Sequence, residues 1–171
     1  FGCAEQPVKA LQVKLGKHDD LGSAMQTLIW SVLQHGQGNV HGVMLSDNGE
    51  YLHQLRVALR RLRVLLRMAA SVCADEQLAG FRKEVAALGI ILGRIREWDV
   101  FITQTIQPMC ERMPAHRGLQ ALLDYSKEQR NGCYIQLRND AQARDLQRLM
   151  LRIAIWMHGP YWQQAGDGLL T

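Results

Sequence analysis

The segment from Tyr51 to Met68 reads YLHQLRVALRRLRVLLRM and carries five arginines, one histidine and no acidic residue. At about 100° of rotation per residue, with His53 taken as the origin, four of the arginines fall at ~300°, ~340°, ~280° and ~320°. These four are Arg56, Arg60, Arg63 and Arg67, whereas Arg61 lies off the row. The opposite side carries Leu55, Leu59, Leu62 and Leu66. The segment therefore predicts a helix with one basic face and one apolar face that packs against a core.

Like charges four residues apart destabilise a helix by a few tenths of a kcal/mol per pair. The basic face contains two such pairs, Arg56 with Arg60 and Arg63 with Arg67. One interpretation is a solvated face neutralised by carboxylates elsewhere in the fold. The consistent use of arginine favours the other interpretation, an anion-binding face, because the planar guanidinium group suits bidentate binding of phosphate or carboxylate.

The composition fits one globular domain, since the chain has 171 residues and 47% of them are apolar. The net charge of +4 is unevenly distributed, because residues 1–50 hold three lysines and five acidic residues and the basic excess lies beyond them. The four cysteines, at positions 3, 73, 110 and 133, show no metal-finger spacing, which is typical of reduced thiols in a cytoplasmic protein. No segment is predicted to span a membrane.

We expect an all-α antiparallel bundle of about four main helices and a short one, because no window shows sustained alternation. Residues 1–20 are predicted to be a linker or N-terminal extension, 21–160 the helical bundle, and 161–171 a C-terminal tail. The first helix should begin at Asp19 or Asp20 and end near residues 36–39, where Gly36, Gly38 and Asn39 follow each other closely. His35 and His41, which flank that break, are expected to be exposed.

The basic helix should begin at a capping-box-like pair, Asp47 with Glu50, and run to about residue 72. The next helix should begin at Asp75 or the residue before it. Residues 94–100 interrupt its pattern, so we predict that Asp99 caps a short helix that Pro108 ends. A long helix should follow from about residue 115 to 139, and a last one should end near residue 159.

The sequence lacks the usual catalytic templates, including a phosphate-binding loop and a zinc-protease motif, so we expect no catalytic residue and no cofactor. Glu97 and Asp99 are the only close carboxylates beside strong bases. We interpret them as structural ion pairs with Arg94 and Arg96. The alternative is a metal-dependent phosphohydrolase accessory domain that uses His53, Glu97 and Asp99.

Nucleic acid is another polyanion that a basic helix can bind, but this helix offers only Gln54 for reading bases and no interleaved aromatic residue after Tyr51. We therefore expect phosphates rather than bases as ligands, and keep non-specific nucleic-acid binding as an alternative. From His53 to Arg67 the row spans ~21 Å at the rise of an α-helix, enough to meet several phosphates in succession.

Two motifs of the chain resemble a known family. HQLRVALRRLR at residues 53–63, followed by LGRIREWDV at residues 92–100, is similar to the conserved histidine α-helical domain, or CHAD domain. The segment from Gln6 to Ala10 resembles the junction that follows a CYTH triphosphate-tunnel domain in bacterial two-domain proteins. The resemblance implies a helical bundle that binds inorganic polyphosphate without catalysis, in the cytoplasm and at polyphosphate granules.

The resemblance also implies which residues bind the ligand. His53, Arg56, Arg60, Arg61 and Arg63 match the first motif, Arg96 and Asp99 match the second, and Arg130 matches a recurrent family arginine. Helical phase and local charge add Arg67 and Arg82 to this set. At lower pH, a charged His53 is expected to join the arginines.

Two departures from the family pattern have consequences. Glu97 stands where the family usually carries aspartate. The chain also shows only one basic helix of this kind, so the resemblance covers the first half of the family's domain. A half-bundle would expose apolar surface, and we therefore expect two copies to associate about a two-fold axis.

Overall fold

The computed structural model describes residues 6–71, 75–139, 142–159 and 162. Its helices are α1 (Leu21–Leu45), α2 (Gly49–Ala69), α3 (Glu76–Val100), α4 (Gln107–Arg112), α5 (Arg117–Asn139) and α6 (Gln142–Met157). A π-helical segment, Phe101–Ile106, joins α3 directly to α4. Within these residues there is no strand, which confirms the all-α prediction. The described residues form five long helices, one more than expected, and the short α4.

The long helices pack in an antiparallel arrangement around a main core, and a second, smaller apolar cluster of Ile102, Ile106 and Leu123 joins the π-helical segment to α5. Early residues of α2 lie beside late residues of α1, since Tyr51 faces Gly42 and Ala58 faces Gly36. Helix α3 packs on the other side of α2, while α6 covers α1 and α3, and α5 contacts α3 and α6. The predicted leucine stripe of α2 is buried in this core: Leu55, Leu59, Leu62 and Leu66. The basic side of α2 is thereby directed away from the core.

The predicted break near residues 36–39 is wrong, because α1 continues to Leu45. The glycines serve close packing within this helix. A methyl group on Gly42 would overlap the ring of Tyr51, and one on Gly36 would lie 2.7 Å from the terminal methyl of Met150. Glycine therefore marks the positions where α2 and α6 approach the α1 backbone, and the neighbouring apolar residues supply enough burial to keep the helix intact.

Asn39 is also part of the helix and ties the N-terminal segment to it. Its side-chain oxygen accepts a hydrogen bond from the Val8 backbone N–H at 3.1 Å, and its amide donates to the Val8 carbonyl at 2.9 Å. His35, one turn earlier, is only 3% exposed, so the expectation of an exposed residue is wrong. Its Nε2 lies 3.1 Å from Oε1 of Gln54, whereas His41 is exposed as expected.

Three helix starts follow from side-chain caps. Asp20 accepts a hydrogen bond from the Ser23 N–H and Asp75 accepts one from the Gln77 N–H, which confirms the two predicted starts. For α2 the cap is Asn48, which accepts from the Glu50 N–H, rather than the predicted Asp47. Helix α2 ends at Ala69, slightly before the expected residue 72, which lies outside the described residues.

The predicted interruption at residues 94–100 is also wrong, because α3 passes through this stretch unbroken. Asp99 is a buried residue within the helix and does not cap a short one. Pro108 lies in the first turn of α4 instead of ending a helix. Proline is tolerated there because its missing N–H falls at a helix start, next to the π-helical segment.

Some described residues near the two ends of the chain lie outside helices α1 to α6. Residues 6–20 form no helix, and their assignment as a linker or N-terminal extension stays a prediction. Trp162, in the predicted tail, is buried, and its ring packs edge-on against Trp156. The rest of 161–171 lies outside the described residues, as do Cys3 and Cys73; Cys110 and Cys133 are free thiols. None of the described helices combines the length and the hydrophobicity that a membrane-spanning segment needs.

Candidate anion-binding site

A groove of about 510 Å³ lies between α2 and α3, along the edge of the leucine stripe of α2, from which Leu59 contributes to its lining. The packing of the leucines against α1 and the core fixes the rotation of α2 about its axis. Side chains on the rest of its surface therefore lie along the boundary with α3. Its lining residues come from both helices and fall into a basic wall and an apolar wall. This groove is the candidate functional site.

The basic wall gathers most of the residues predicted from sequence. Four come from α2 and one from α3: His53, Arg56, Arg60, Arg63 and Arg96. Arg60 and Arg63 are exposed, and the other three are half-buried. No carboxylate in the described part of the chain forms an ion pair with any of them. The groove therefore concentrates positive charge that the described residues do not neutralise.

Arg56 is half-buried, and one nitrogen of its guanidinium group is enclosed by the protein. Its Nη1 is buried and has no hydrogen-bond partner among the described residues. A methyl group on Gly93 of α3 would lie 3.0 Å from this nitrogen, so glycine at this position makes room for the guanidinium group. Since a buried donor without a partner loses about 1–3 kcal/mol, an anion that accepts from Nη1 would recover part of that loss.

The apolar wall belongs mainly to α3 and was not predicted. It consists of Val57 and Leu59 from α2 and Val85, Ala86, Gly89, Ile90 and Val100 from α3 or its end. A methyl group on Gly89 would meet nothing within 4 Å, so this position opens the groove and makes no close helix contact. The spacing of these residues follows the helical repeat, but sequence alone does not reveal which surface of α3 faces the arginines.

Four predicted arginines lie outside the groove, and three of them, Arg61, Arg67 and Arg82, lie on α2 or α3. Arg61 lies on the α1 side of α2. Burial lowers the pKa of His35 in α1, and the charge of Arg61 lowers it further. Arg61 lines a shallow depression with Arg60, Val64 and Leu65. Arg67 and Arg82 are exposed and line neither depression. These three can extend the positive field around the groove, but they do not form its wall.

Arg130 occupies a different place, on α5, where it forms an ion pair with Asp99. Its Nε lies 2.5 Å from Asp99 Oδ1, and its Nη2 donates to the Asp47 carbonyl at 2.8 Å. Burial opposes its charge, but the hydrogen bond and the charge of Asp99 raise the pKa of Arg130 above its usual value. The geometry gives Arg130 a structural contact with Asp99 rather than a place in the groove.

Sequence reasoning missed two residues that complete this ion-pair cluster. The Tyr134 hydroxyl lies 3.4 Å from Asp99 Oδ2, and burial followed by the charge of Asp99 raises the pKa of Tyr134 to about 12. Arg138 donates to the carbonyl of Ser46 at 2.7 Å, and both guanidinium groups lie over the Tyr134 ring. The cluster thus fastens α5 to the connection that precedes α2. The expected partners of Asp99, Arg94 and Arg96, form no ion pair with it.

The residues of the metal alternative are not assembled. No group of three or more histidine, cysteine, aspartate or glutamate side chains that could hold a metal ion occurs in the described ranges. Asp99 is buried against Arg130, His53 lines the groove, and Glu97 is exposed.

A family model of the CHAD domain matches residues 27–170, which is most of the chain and includes α2 and α3 entirely. The chain belongs to the CHAD-domain family. Its fold is similar to the crystal structure of the CHAD domain from the plant Ricinus communis, with a TM-score of 0.72 and 25% sequence identity. The match covers 95% of this chain and 52% of that one, so the chain spans about half the length of the plant domain. No curated protein matches the chain significantly.

The two CHAD motifs have different places in this structure. The first lies on α2 and supplies most of the basic wall. The second is divided, because Arg96 lines the groove while Asp99 enters the buried cluster. Glu97, which departs from the family pattern, is exposed and takes part in neither contact, so its longer side chain leaves the pairing of Asp99 with Arg130 unaffected.

Proposed function

We propose that this CHAD chain binds inorganic polyphosphate in the α2–α3 groove and performs no catalysis there. The observation that carries the proposal is the basic wall, in which five cationic or potentially cationic side chains converge without a carboxylate partner among the described residues. The positive charges of this wall repel one another, and a bound polyanion would reduce that repulsion.

The arrangement of the wall favours a chain of phosphates over a single anion. From His53 to Arg63 the α2 side chains extend over ~15 Å at the helical rise, so that successive phosphates can meet successive arginines. Each charge-assisted hydrogen bond contributes roughly 1.5–3 kcal/mol before screening by salt, and the exposed arginines contribute less.

Nucleic acid fits the groove less well. Among the described residues no phenylalanine, tyrosine or tryptophan lines it, so unpaired bases would find little stacking surface beyond the ring of His53, and asparagine and glutamine are likewise missing from this lining. No specific observation favours the metal alternative, whose three residues lie apart. Under this proposal the chain acts in the cytoplasm, at polyphosphate granules. The association of two copies about a two-fold axis stays a prediction, which light scattering would test.

The decisive experiment compares two double variants that each remove two positive charges. Arg60→Ala with Arg63→Ala alters the basic wall at two exposed positions. Arg112→Ala with Arg117→Ala alters exposed arginines of α4 and α5 outside the groove and serves as the matched control. Isothermal titration calorimetry with long-chain polyphosphate should show at least a tenfold loss of affinity for the first variant and less than a threefold loss for the control.

The same titrations should be repeated at several salt concentrations, with a chelator, and with single-stranded RNA. We expect affinity to fall steeply with salt, since polyanion binding releases counterions, and to be unaffected by the chelator. Equal losses in the two double variants would refute the assigned groove. Tighter binding of RNA than of polyphosphate would favour the nucleic-acid alternative, and loss of binding with the chelator would favour the metal alternative.

A further inference from the structure

The groove has an apolar wall that inorganic polyphosphate cannot use. We propose that it also binds organic phosphate monoesters, with the phosphate on the basic wall of α2 and a compact apolar group on the wall formed by α3. This inference rests on the proposed function, because it uses the same arginines, and it adds a class of ligand that polyphosphate binding does not imply.

The apolar wall is open to solvent where a ligand could cover it. Ile90 is 64% exposed although it lines the groove, and next to it Gly89 leaves free space where a side chain would otherwise stand. Ala86 lies one turn away on the same surface of α3. A chain of inorganic phosphates is charged on every unit and would leave this surface in contact with water, whereas an alkyl or ring substituent would bury it.

The basic wall can bind the phosphate of such a ligand inside the groove as well as at its rim. The buried Nη1 of Arg56 lacks a hydrogen-bond partner among the described residues, and Arg96 approaches from α3, the helix that carries the apolar wall. A phosphate bound between them would hold its ester substituent beside α3. The charge and the apolar surface are thus complementary to an amphiphilic anion with one charged end.

The size of the groove agrees with such a ligand. Its volume of about 510 Å³ lies within the range of roughly 300–1,000 Å³ that is usual for sites of small organic ligands. The groove is open to solvent, so a free monoester can enter it, and a free monoester is the ligand that we propose. A phosphorylated lipid in a membrane is the alternative ligand, and co-sedimentation with vesicles distinguishes the two.

The test is a calorimetric titration of the full chain with inorganic phosphate and with ethyl, butyl and hexyl phosphate. Affinity should increase along the series, by up to roughly fourfold for each methylene group that becomes buried. The same affinity for all four ligands would overturn the inference. If tripolyphosphate still binds in that case, the proposed function survives, so the two failures can be distinguished.

Two serine variants locate the effect. Ile90→Ser removes the exposed apolar side chain of the groove, and Ile155→Ser removes an isoleucine of α6 that is also 64% exposed but lies outside it. The ratio of the affinity for hexyl phosphate to that for tripolyphosphate should fall roughly tenfold in Ile90→Ser and stay at the wild-type value in Ile155→Ser. Equal ratios in the two variants would overturn the assignment of the apolar wall.

Two further measurements exclude other occupants of that wall. Co-sedimentation with phosphatidylcholine vesicles that contain phosphatidic acid should show no binding that depends on Ile90. Vesicle binding lost in Ile90→Ser, together with a failure to bind hexyl phosphate, would overturn the inference in favour of a membrane surface. Analytical ultracentrifugation should give the same mass for the wild type and Ile90→Ser; self-association that this variant abolishes would assign the wall to a second copy of the chain instead.

Discussion

Asp99→Asn tests the ion-pair cluster between α3 and α5 while preserving the size of the side chain. It removes the charge that faces Arg130 and leaves one carbonyl oxygen as an acceptor. The Asp99 side chain is 5% exposed and the Arg130 side chain 19%, so the arginine would remain largely covered without its counterion. Removing one partner of a buried ion pair usually costs about 3–5 kcal/mol.

Two features of this structure place the expected loss at the lower end, about 3 kcal/mol. Arg130 keeps its hydrogen bond to the Asp47 carbonyl, and its partial exposure lets water reach the guanidinium group. For a chain of this length, each kcal/mol lowers the melting temperature by about 2–4 °C. We therefore expect Asp99→Asn to melt roughly 6–12 °C below the wild type.

The measurement is urea unfolding followed by far-UV circular dichroism, from which the free energy of unfolding is obtained by linear extrapolation. Glu84→Gln is the matched control, because it breaks the ion pair between Glu84 and Arg152. The Glu84 side chain is 42% exposed and the Arg152 side chain 53%. That surface pair should contribute about 0–1 kcal/mol. A loss for Asp99→Asn no larger than that of Glu84→Gln would refute the reasoning, since it would mean that Asp99 does not compensate a desolvated charge.

Gly42→Ala should lower the free energy of unfolding by about 1–3 kcal/mol, because its methyl group would overlap the ring of Tyr51, whereas Gly80→Ala has open space and should raise it by up to about 1 kcal/mol; urea unfolding of both compares these signs. Asn39→Ala should cost about 2 kcal/mol and accelerate proteolysis within residues 6–20, because the hydrogen bonds that hold this segment are lost; an unchanged cleavage rate would contradict the tether. Burial lowers the pKa of His35 in the folded state, so the unfolded chain binds the proton more readily and stability is lost as the pH falls below about 6.5 towards the lower folded-state pKa. His35→Gln should be less sensitive to pH in this window, and identical pH profiles for the two proteins would exclude the effect.

The two faces of α2 could be predicted because the helical repeat of about 3.6 residues fixes which side chains share a side. Leucines on one side and arginines on the other are properties of a single continuous segment. The positions of Asp20 and Asp75 at helix starts are likewise local, since a side-chain cap binds a backbone N–H two or three residues away. These features depend on few contacts with the rest of the chain.

The wrong predictions, the end of α1 near residues 36–39 and the capping role of Asp99, concern positions where tertiary contacts overrode a local preference. Gly36 and Asn39 usually favour the end of a helix, but here one allows α6 to approach and the other binds the backbone of Val8, 31 residues away. Asp99 resembles a helix cap in sequence, yet its partner is Arg130, 31 residues later on α5. A single sequence contains no sign of either contact.

The sequence by itself determined the helical class, the basic face and the family motifs, because these depend on residue order within one helix. Only the tertiary structure decided that Arg96 joins the arginines of α2, that Arg130 does not, and that α3 contributes an apolar wall. The physical reason is that helical phase follows from the backbone geometry of one segment. The composition of a groove depends on the packing angle and register of two helices, which the whole core determines together.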